Sequence, residues 1–311
     1  RAAQSGVGSV RLNMMYGSAI RGQSKGKFDW SAQDPGFVDS AKAGIRLTPT
    51  FYGDETGGPN ALKFGSSTWN SYTKFVKQAV ARYGPGGHFW KEHPTIPYMP
   101  VNTWSVWNEQ NYSHNNYRGH GVDVSNYSKM LVGMSRSIKK IDKNAIVSLG
   151  GLAKANGVDK KGGMPGDEFL KKIYRYPEAR AAFDAVSFHP YSATVASMKE
   201  SVEEIRQIMN DEGDKNKPLY ITEVGWATGG PPGGLVVSPE EQAANLKEAM
   251  TWFKDNKTRL NIPSVNWYFW QDVSGAIYGT KKNWDSYAGL FDINGSAKPS
   301  WYAWLSVTGG S

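Results

Sequence analysis

The sequence predicts an α/β chain folded as a (β/α)8 TIM barrel. Short runs rich in β-branched and aromatic residues alternate with amphipathic stretches through all 311 residues. Repeated strand–helix–strand order calls for parallel strands joined by right-handed crossovers. The usual mark of the competing doubly wound sheet, a glycine-rich loop leading from strand to helix, is missing. Gly6-Val7-Gly8 precedes the first strand and lacks a third glycine. With no long linker in the chain, residues 1–311 read as one domain.

The strand candidates are 9–13, 45–49, 104–107, 145–149, 185–188, 218–222 and 264–269. Helical candidates lie between them at 69–83, 125–141, 195–210 and 239–256. In the first helix Tyr72, Phe75, Val76, Ala79 and Val80 recur at helical spacing, which marks a buried stripe. Trp252, also at helical spacing, is expected in the core. Ser238-Pro239-Glu240-Glu241 sets a cap, a first-turn proline and early acids in the order that starts a helix. These strands number seven, one short of the barrel. Residues 1–5 read as the end of a helix and lead through a glycine turn into the strand at Val10. The first barrel strand is therefore expected upstream of residue 1, unless the barrel closes irregularly.

Composition narrows the chemistry. Without cysteine there can be no disulfide, no thiolate nucleophile and no cysteine-ligated metal. His88 and His93 flank Phe89-Trp90-Lys91-Glu92, which is not the His-Glu-x-x-His metal arrangement, so no metal and no other cofactor is expected. No apolar run reaches the length of a membrane span, and no leader peptide is recognisable at the start of the chain. The net charge is +8. The basic residues are dispersed, the densest groups being Lys139-Lys140, Lys160-Lys161 and Lys171-Lys172, so a solvated surface is expected and no nucleic-acid partner. Asn111-Tyr112-Ser113 matches a glycosylation sequon, read as coincidental.

In such a barrel, chemistry sits where the strands end. Counting the absent strand as the first, the second ends near Arg11 and Asn13 and the third at Phe51-Tyr52-Gly53. The fourth ends at Asn108-Glu109, the sixth at His189-Pro190-Tyr191, the seventh at Glu223 and the eighth at Trp270-Gln271-Asp272. Two glutamates thus finish two hydrophobic strands, each beside a tryptophan, Trp107 and Trp226. Either alone is more commonly a structural ion-pair partner. Together they match what a glycosidic bond requires: one carboxylic acid to protonate the leaving oxygen, and a second carboxylate to attack or to activate water. Twelve tryptophans supply flat surfaces for sugar faces.

Trp107-Asn108-Glu109 followed by Ile221-Thr222-Glu223-Val224-Gly225-Trp226 resembles the retaining glycoside hydrolases of the large (β/α)8 clan, whose catalytic glutamates end strands four and seven. The resemblance runs from Val10 to the end of the chain. Residues 138–152 and Phe188-His189-Pro190-Tyr191 are similar to the family of β-xylosidases, iduronidases and bacterial exopolysaccharide hydrolases. It implies that Glu109 is the general acid and then the base, and that Glu223 is the nucleophile. A retaining pair should lie about 5–5.5 Å apart. Asn108 would bind the sugar 2-hydroxyl, Arg11 would keep Glu223 ionised, and Tyr191 or His189 would hydrogen-bond Glu223 or the sugar. Trp270 would floor the cleaved unit, with Trp226 and Trp284 also against substrate. One letter departs from the pattern: Gln110 stands where these enzymes usually carry proline.

These implications describe a glycosidase acting on an oligo- or polysaccharide. It is expected to be monomeric, and secreted or held in the cell envelope. The long polar and aromatic segments 53–65, 110–122 and 275–287, with Tyr112, Tyr117, Tyr278 and Trp284, suit an extended cleft. The glycine-rich run 229–234 could form a lid or a plain surface loop. A transglycosylase would use the same residues, and a non-catalytic carbohydrate-binding barrel is the alternative from another class.

Overall fold

The computed structural model describes residues 2–21, 27–53, 65–112, 122–154, 163–275 and 283–310. They form two compact units, Gly8–Ser187 and Arg1–Val7 with Phe188–Ser311. Every strand candidate is a strand: β1 (Ser9–Met15), β2 (Arg46–Tyr52), β3 (Thr103–Asn108), β4 (Ile146–Ala153), β5 (Ala185–His189), β6 (Leu219–Val224) and β7 (Val265–Trp267). They are hydrogen-bonded in chain order, β1 to β7, and the pairs of defined register are parallel. That order, with helices in the connections, is the α/β barrel class, with seven strands among the described residues.

In the unit Gly8–Ser187 the helices are α1 (Tyr16–Arg21), α2 (Asp34–Lys42), α3 (Ser67–Tyr83), α4 (His88–Glu92), α5 (Val124–Ile141), α6 (Gly166–Tyr174) and α7 (Pro177–Arg180). Ser66 caps α3 by accepting from Trp69 N at 3.1 Å. The buried stripe of α3 contains all five residues expected there and adds Trp69 and Tyr83. Phe75 stacks on Trp30 at 5.5 Å, and Tyr83 lies flat on Phe37 at 3.7 Å. Phe51 of β2 stacks on Trp104 of β3 at 5.2 Å. Aromatic packing therefore sets both the helix layer and the adjoining strands of this unit.

The other unit carries α8 (Val195–Asp211), α9 (Pro239–Asn256) and α10 (Pro299–Thr308). The expected start signal of α9 is a complete capping box between Ser238 and Glu241. Its buried stripe is Leu246, Ala249, Met250 and Phe253. Trp252 falls to one side of that stripe and is half-buried, not core as expected; it meets Phe253 edge-on at 5.2 Å. Residues 2–4 form one 3-10 turn. Behind it, Trp304 Nε1 and Thr308 Oγ1 of α10 both donate to Ser5 O, at 2.9 and 2.8 Å. Gly6 there has φ 71°, and a Cβ would lie 2.7 Å from Thr308 Cβ, so only glycine fits. β7 covers only Val265–Trp267 of the run 264–269, and Tyr268 N still donates to Val224 O of β6 at 2.8 Å.

Candidate active site

In the unit Gly8–Ser187 the candidate site is the end of β3. β3 and β4 pair at Val106↔Leu149 and again at Asn108↔Gly151. Between these pairs Trp107 takes φ 72°, and beyond them Glu109 takes φ 47°. A non-glycine residue in this region costs about 1–2 kcal/mol, and such residues gather at functional sites. Tyr127 of α5 fills the break in the ladder. Its hydroxyl donates to Val106 O at 2.9 Å and accepts from Gly150 N at 3.1 Å. Burial pushes this phenol above its ordinary pKa, against the opposing bond from Gly150 N.

The segment leaving the strand is tied to β4 residue by residue. Glu109 N donates to Gly151 O at 2.8 Å. Gln110 Nε2 donates to Gly150 O at 2.9 Å. Asn111 Nδ2 donates to Ala153 O and Met164 O, both at 2.8 Å, while its Oδ1 accepts from Ala153 N at 2.9 Å. Gln110 and Asn111 are buried, whereas Asn108 and Glu109 are half-buried. With Asn111 0% exposed and its amide so engaged, the sequon at 111 is not open to a glycan.

Arg11 of β1 donates through Nε to Thr50 Oγ1 at 2.9 Å and through Nη2 to Asn108 Oδ1 at 2.6 Å. Arg11 and Asn108, both expected in the site, are thus brought together, a relation that strand-end counting did not foresee. The bond also orients the amide: with Oδ1 accepting from Arg11, the Asn108 NH2 is turned away as a donor.

In the unit Phe188–Ser311 the site gathers around Glu223 at the end of β6. Tyr191 Oη donates to Glu223 Oε2 at 2.9 Å. The fully buried His189 lies with Nδ1 3.7 Å from the same oxygen, beyond hydrogen-bond distance, while its Nε2 pairs with Thr222 Oγ1 at 2.9 Å. Of the two candidates for bonding the carboxylate, Tyr191 donates to it and His189 stands at ion-pair distance from it. Trp284 stands edge-on to Tyr191 at 4.9 Å and near Tyr268 at 6.0 Å, so it belongs to this cluster.

The other two tryptophans sit differently. Trp226 is 0% exposed, with Nε1 donating to Ala193 O at 3.3 Å and its ring against Trp267. A ring with no exposed face supports the strand end and offers no platform, a correction to its expected place against substrate. Trp270 is 37% exposed and leans on Phe291 and Trp301. Of the residues expected to line a cleft, Tyr117 and Tyr278 lie outside the described residues.

Lys298 was not anticipated. It is 8% exposed, and its ammonium donates to Asp272 Oδ1 at 2.8 Å, Thr228 Oγ1 at 2.9 Å and Tyr287 O at 3.0 Å. It joins the ends of β6 and β7 to the turn Trp284–Tyr287. The glycine run packs on the same turn. A Cβ on Gly229 would stand 3.0 Å from the Tyr287 ring, and one on Gly230 would stand 2.9 Å from Trp284 Cα. Nothing about a lysine just before Pro299 signals this in sequence.

One carboxylate thus ends β6 held by a phenol, and another follows β3 beside an oriented amide. The model of the glycosyl hydrolase catalytic core family matches residues 134–301, more than half of the chain, and the chain belongs to that family. Among curated proteins none matches. Of solved structures, a family 39 glycoside hydrolase from Bacteroides cellulosilyticus WH2 is similar at 20% identity and TM-score 0.69, covering 98% of this chain and 59% of its own. A monomeric β-xylosidase from Caulobacter crescentus CB15 is similar at 17% identity and TM-score 0.66, covering 97% and 62%. An endo-β-1,4-mannanase from Thermotoga petrophila is similar at 15% identity and TM-score 0.63, covering 99% and 71%. The chain therefore spans about three fifths of the first two structures, and at these identities the likeness is one of fold.

Proposed function

We propose that this chain is a retaining glycoside hydrolase acting on an oligo- or polysaccharide, with Glu223 as nucleophile and Glu109 as general acid and then base. The observation that carries the reading is the Tyr191–Glu223 hydrogen bond at 2.9 Å, at a strand end within the stretch that the family model covers. A phenol donating to one carboxylate oxygen fixes the orientation of the group, and an oriented carboxylate is what attack at an anomeric carbon needs.

In the first step Glu223 Oε forms a bond to the anomeric carbon as the bond to the leaving oxygen breaks. Glu109 delivers its proton to that oxygen. In the second step Glu109, now a carboxylate, takes a proton from water, whose oxygen displaces Glu223. The Asn108 NH2, turned outward by Arg11, would donate to the oxygen of the sugar 2-hydroxyl, where charge builds in the transition state. Trp284 and Trp270 supply aromatic surface for sugar rings.

The similar structures include a β-xylosidase and an endo-β-1,4-mannanase, so the sugar is best sought with a panel of nitrophenyl xylosides, mannosides, glucosides and arabinofuranosides. On the sugar that is cleaved, Glu223→Ala is expected to lose at least about three orders of magnitude in kcat. Added azide should then restore turnover and yield a glycosyl azide of inverted configuration. If Glu223→Ala cleaves as fast as the wild type, the assignment of the nucleophile is wrong.

A further inference from the structure

Glu109 stands in a left-handed backbone conformation that glutamate rarely adopts, two residues after Trp107 in the same region. Such a conformation persists only where its surroundings over-determine it. The surroundings here are specific. Residues 109, 110 and 111 are bonded in turn to Gly151, Gly150 and Ala153, through Glu109 N, Gln110 Nε2 and both ends of the Asn111 amide. Gln110 is 1% exposed, and Gly150 is shaped to receive it. A Cβ on Gly150 would lie 2.6 Å from Gln110 Oε1 and 2.4 Å from Val106 O. Rotating Glu109 toward extended backbone would swing the chain that follows and break the Gln110 and Asn111 bonds together.

We propose that Gln110, backed by Asn111, is a positioning residue that holds Glu109 in its left-handed conformation and so sets the direction of its carboxyl group. The inference rests on the reading of Glu109 as general acid and base. It also accounts for the letter that departs from the usual motif. A proline at 110 favours an extended residue before it and carries no side-chain donor for Gly150 O. Glutamine permits φ 47° at Glu109 and supplies the donor.

The test is Gln110→Met, which keeps the side-chain volume and removes the amide, with Gln110→Asn, which withdraws the amide by one methylene, as second variant should the first not fold. Each is compared with Glu109→Gln and wild type on a phenyl and a dinitrophenyl glycoside of the sugar found with the panel. kcat/KM reports the first bond cleavage. A misdirected acid hurts the phenyl leaving group, which needs the proton, and spares dinitrophenolate, which does not. The expected result for Gln110→Met is a loss of about tenfold to a hundredfold on the phenyl glycoside and little change on the dinitrophenyl glycoside. Equal losses on both substrates in this variant, with a selective loss in Glu109→Gln, overturn the positioning role and leave the acid assignment standing. Equal losses in Glu109→Gln instead overturn the acid assignment. Crystal structures of wild type and variant read the backbone independently of activity: φ of Glu109 should leave the left-handed region in Gln110→Met. A carboxyl that stays within about 0.5 Å of its wild-type position overturns the inference whatever the kinetics.

Discussion

Lys298 shows how one residue can be costly and indispensable together. Burial lowers its pKa, and the bonds from Asp272 only partly counter that. Since the folded chain binds this proton more weakly than the unfolded chain, the group's contribution to stability rises with pH between the lowered value and the ordinary one near 10.5. Below that window the ammonium is charged in both states and its burial is a net cost. Yet the pair is 9% exposed at each side chain, and removing one member leaves the other charge buried without its partner. Lys298→Met is expected to cost about 3–5 kcal/mol. Lys298→Met with Asp272→Asn should regain much of that, because asparagine still accepts from Gly289 N, the bond that Asp272 Oδ1 now takes at 2.8 Å. Urea denaturation of both single variants and the double variant measures the coupling. Additive losses would show that the pair does not act as a unit. Equally local is the Arg11–Asn108 bond, in which the arginine orients the amide beside Glu109.

Elements were legible wherever period and cap agreed. The stripe of α3 and the Ser238–Glu241 box of α9 could be written from sequence because each is decided by residues within a few turns. α10 could have been found by the same logic, since Pro299 at its start and Gly309 with φ 73° at its end bracket it. Trp252 was misplaced because helical spacing suggested the core, while its angular position, to one side of the α9 stripe, decided otherwise. What no local rule exposes is the end of β3. The left-handed Trp107 and Glu109 are held by bonds to Tyr127 of α5 and to residues 150–153 of β4, two other stretches of chain, so the sequence signal there was only an unexpected glutamine. Tyr127→Phe tests this element directly. Losing the hydroxyl leaves buried Val106 O and Gly150 N without the bonds it makes to them, at an expected cost of about 1–3 kcal/mol. A shift in the urea midpoint at unchanged m-value is the predicted signature. No loss of stability would mean that water or backbone takes over both bonds. Because the same hydroxyl bridges the strands just before Glu109, the variant should also lose activity on the phenyl glycoside more than on the dinitrophenyl glycoside.

At the scale of the whole molecule, the fold class was legible because seven strands alternate with helices and each strand brings a distinct polar group to its end. The expectation of two paired glutamates came from that order, not from either strand alone, which is why neither motif was informative by itself. Charge is the other molecular property. Thirty-six basic residues against twenty-eight acidic ones give +8, which by itself would draw the protein to any polyanion. The structure shows how that charge is spent. Arg82 pairs with Asp34 and Glu92, Lys139 with Asp184, Lys171 with Asp167, Lys199 with Glu248, Lys217 with Asp214 and Arg259 with Glu203. Cations so paired present little net field, and the excess lies in the unit Gly8–Ser187, with 24 basic and 14 acidic residues against 12 and 14 in the other unit. Attraction of this kind acts over about a Debye length, about 8 Å at 0.15 M salt, and along the sequence the basic residues are dispersed, the densest groups being lysine pairs. The protein is therefore expected to bind heparin at low ionic strength and to elute by about 0.15 M sodium chloride. Its kcat/KM on a neutral nitrophenyl glycoside should not change over the same range. Elution only near 1 M, where the Debye length is about 3 Å, would show that the basic residues do form a patch, and would point to an acidic glycan as substrate.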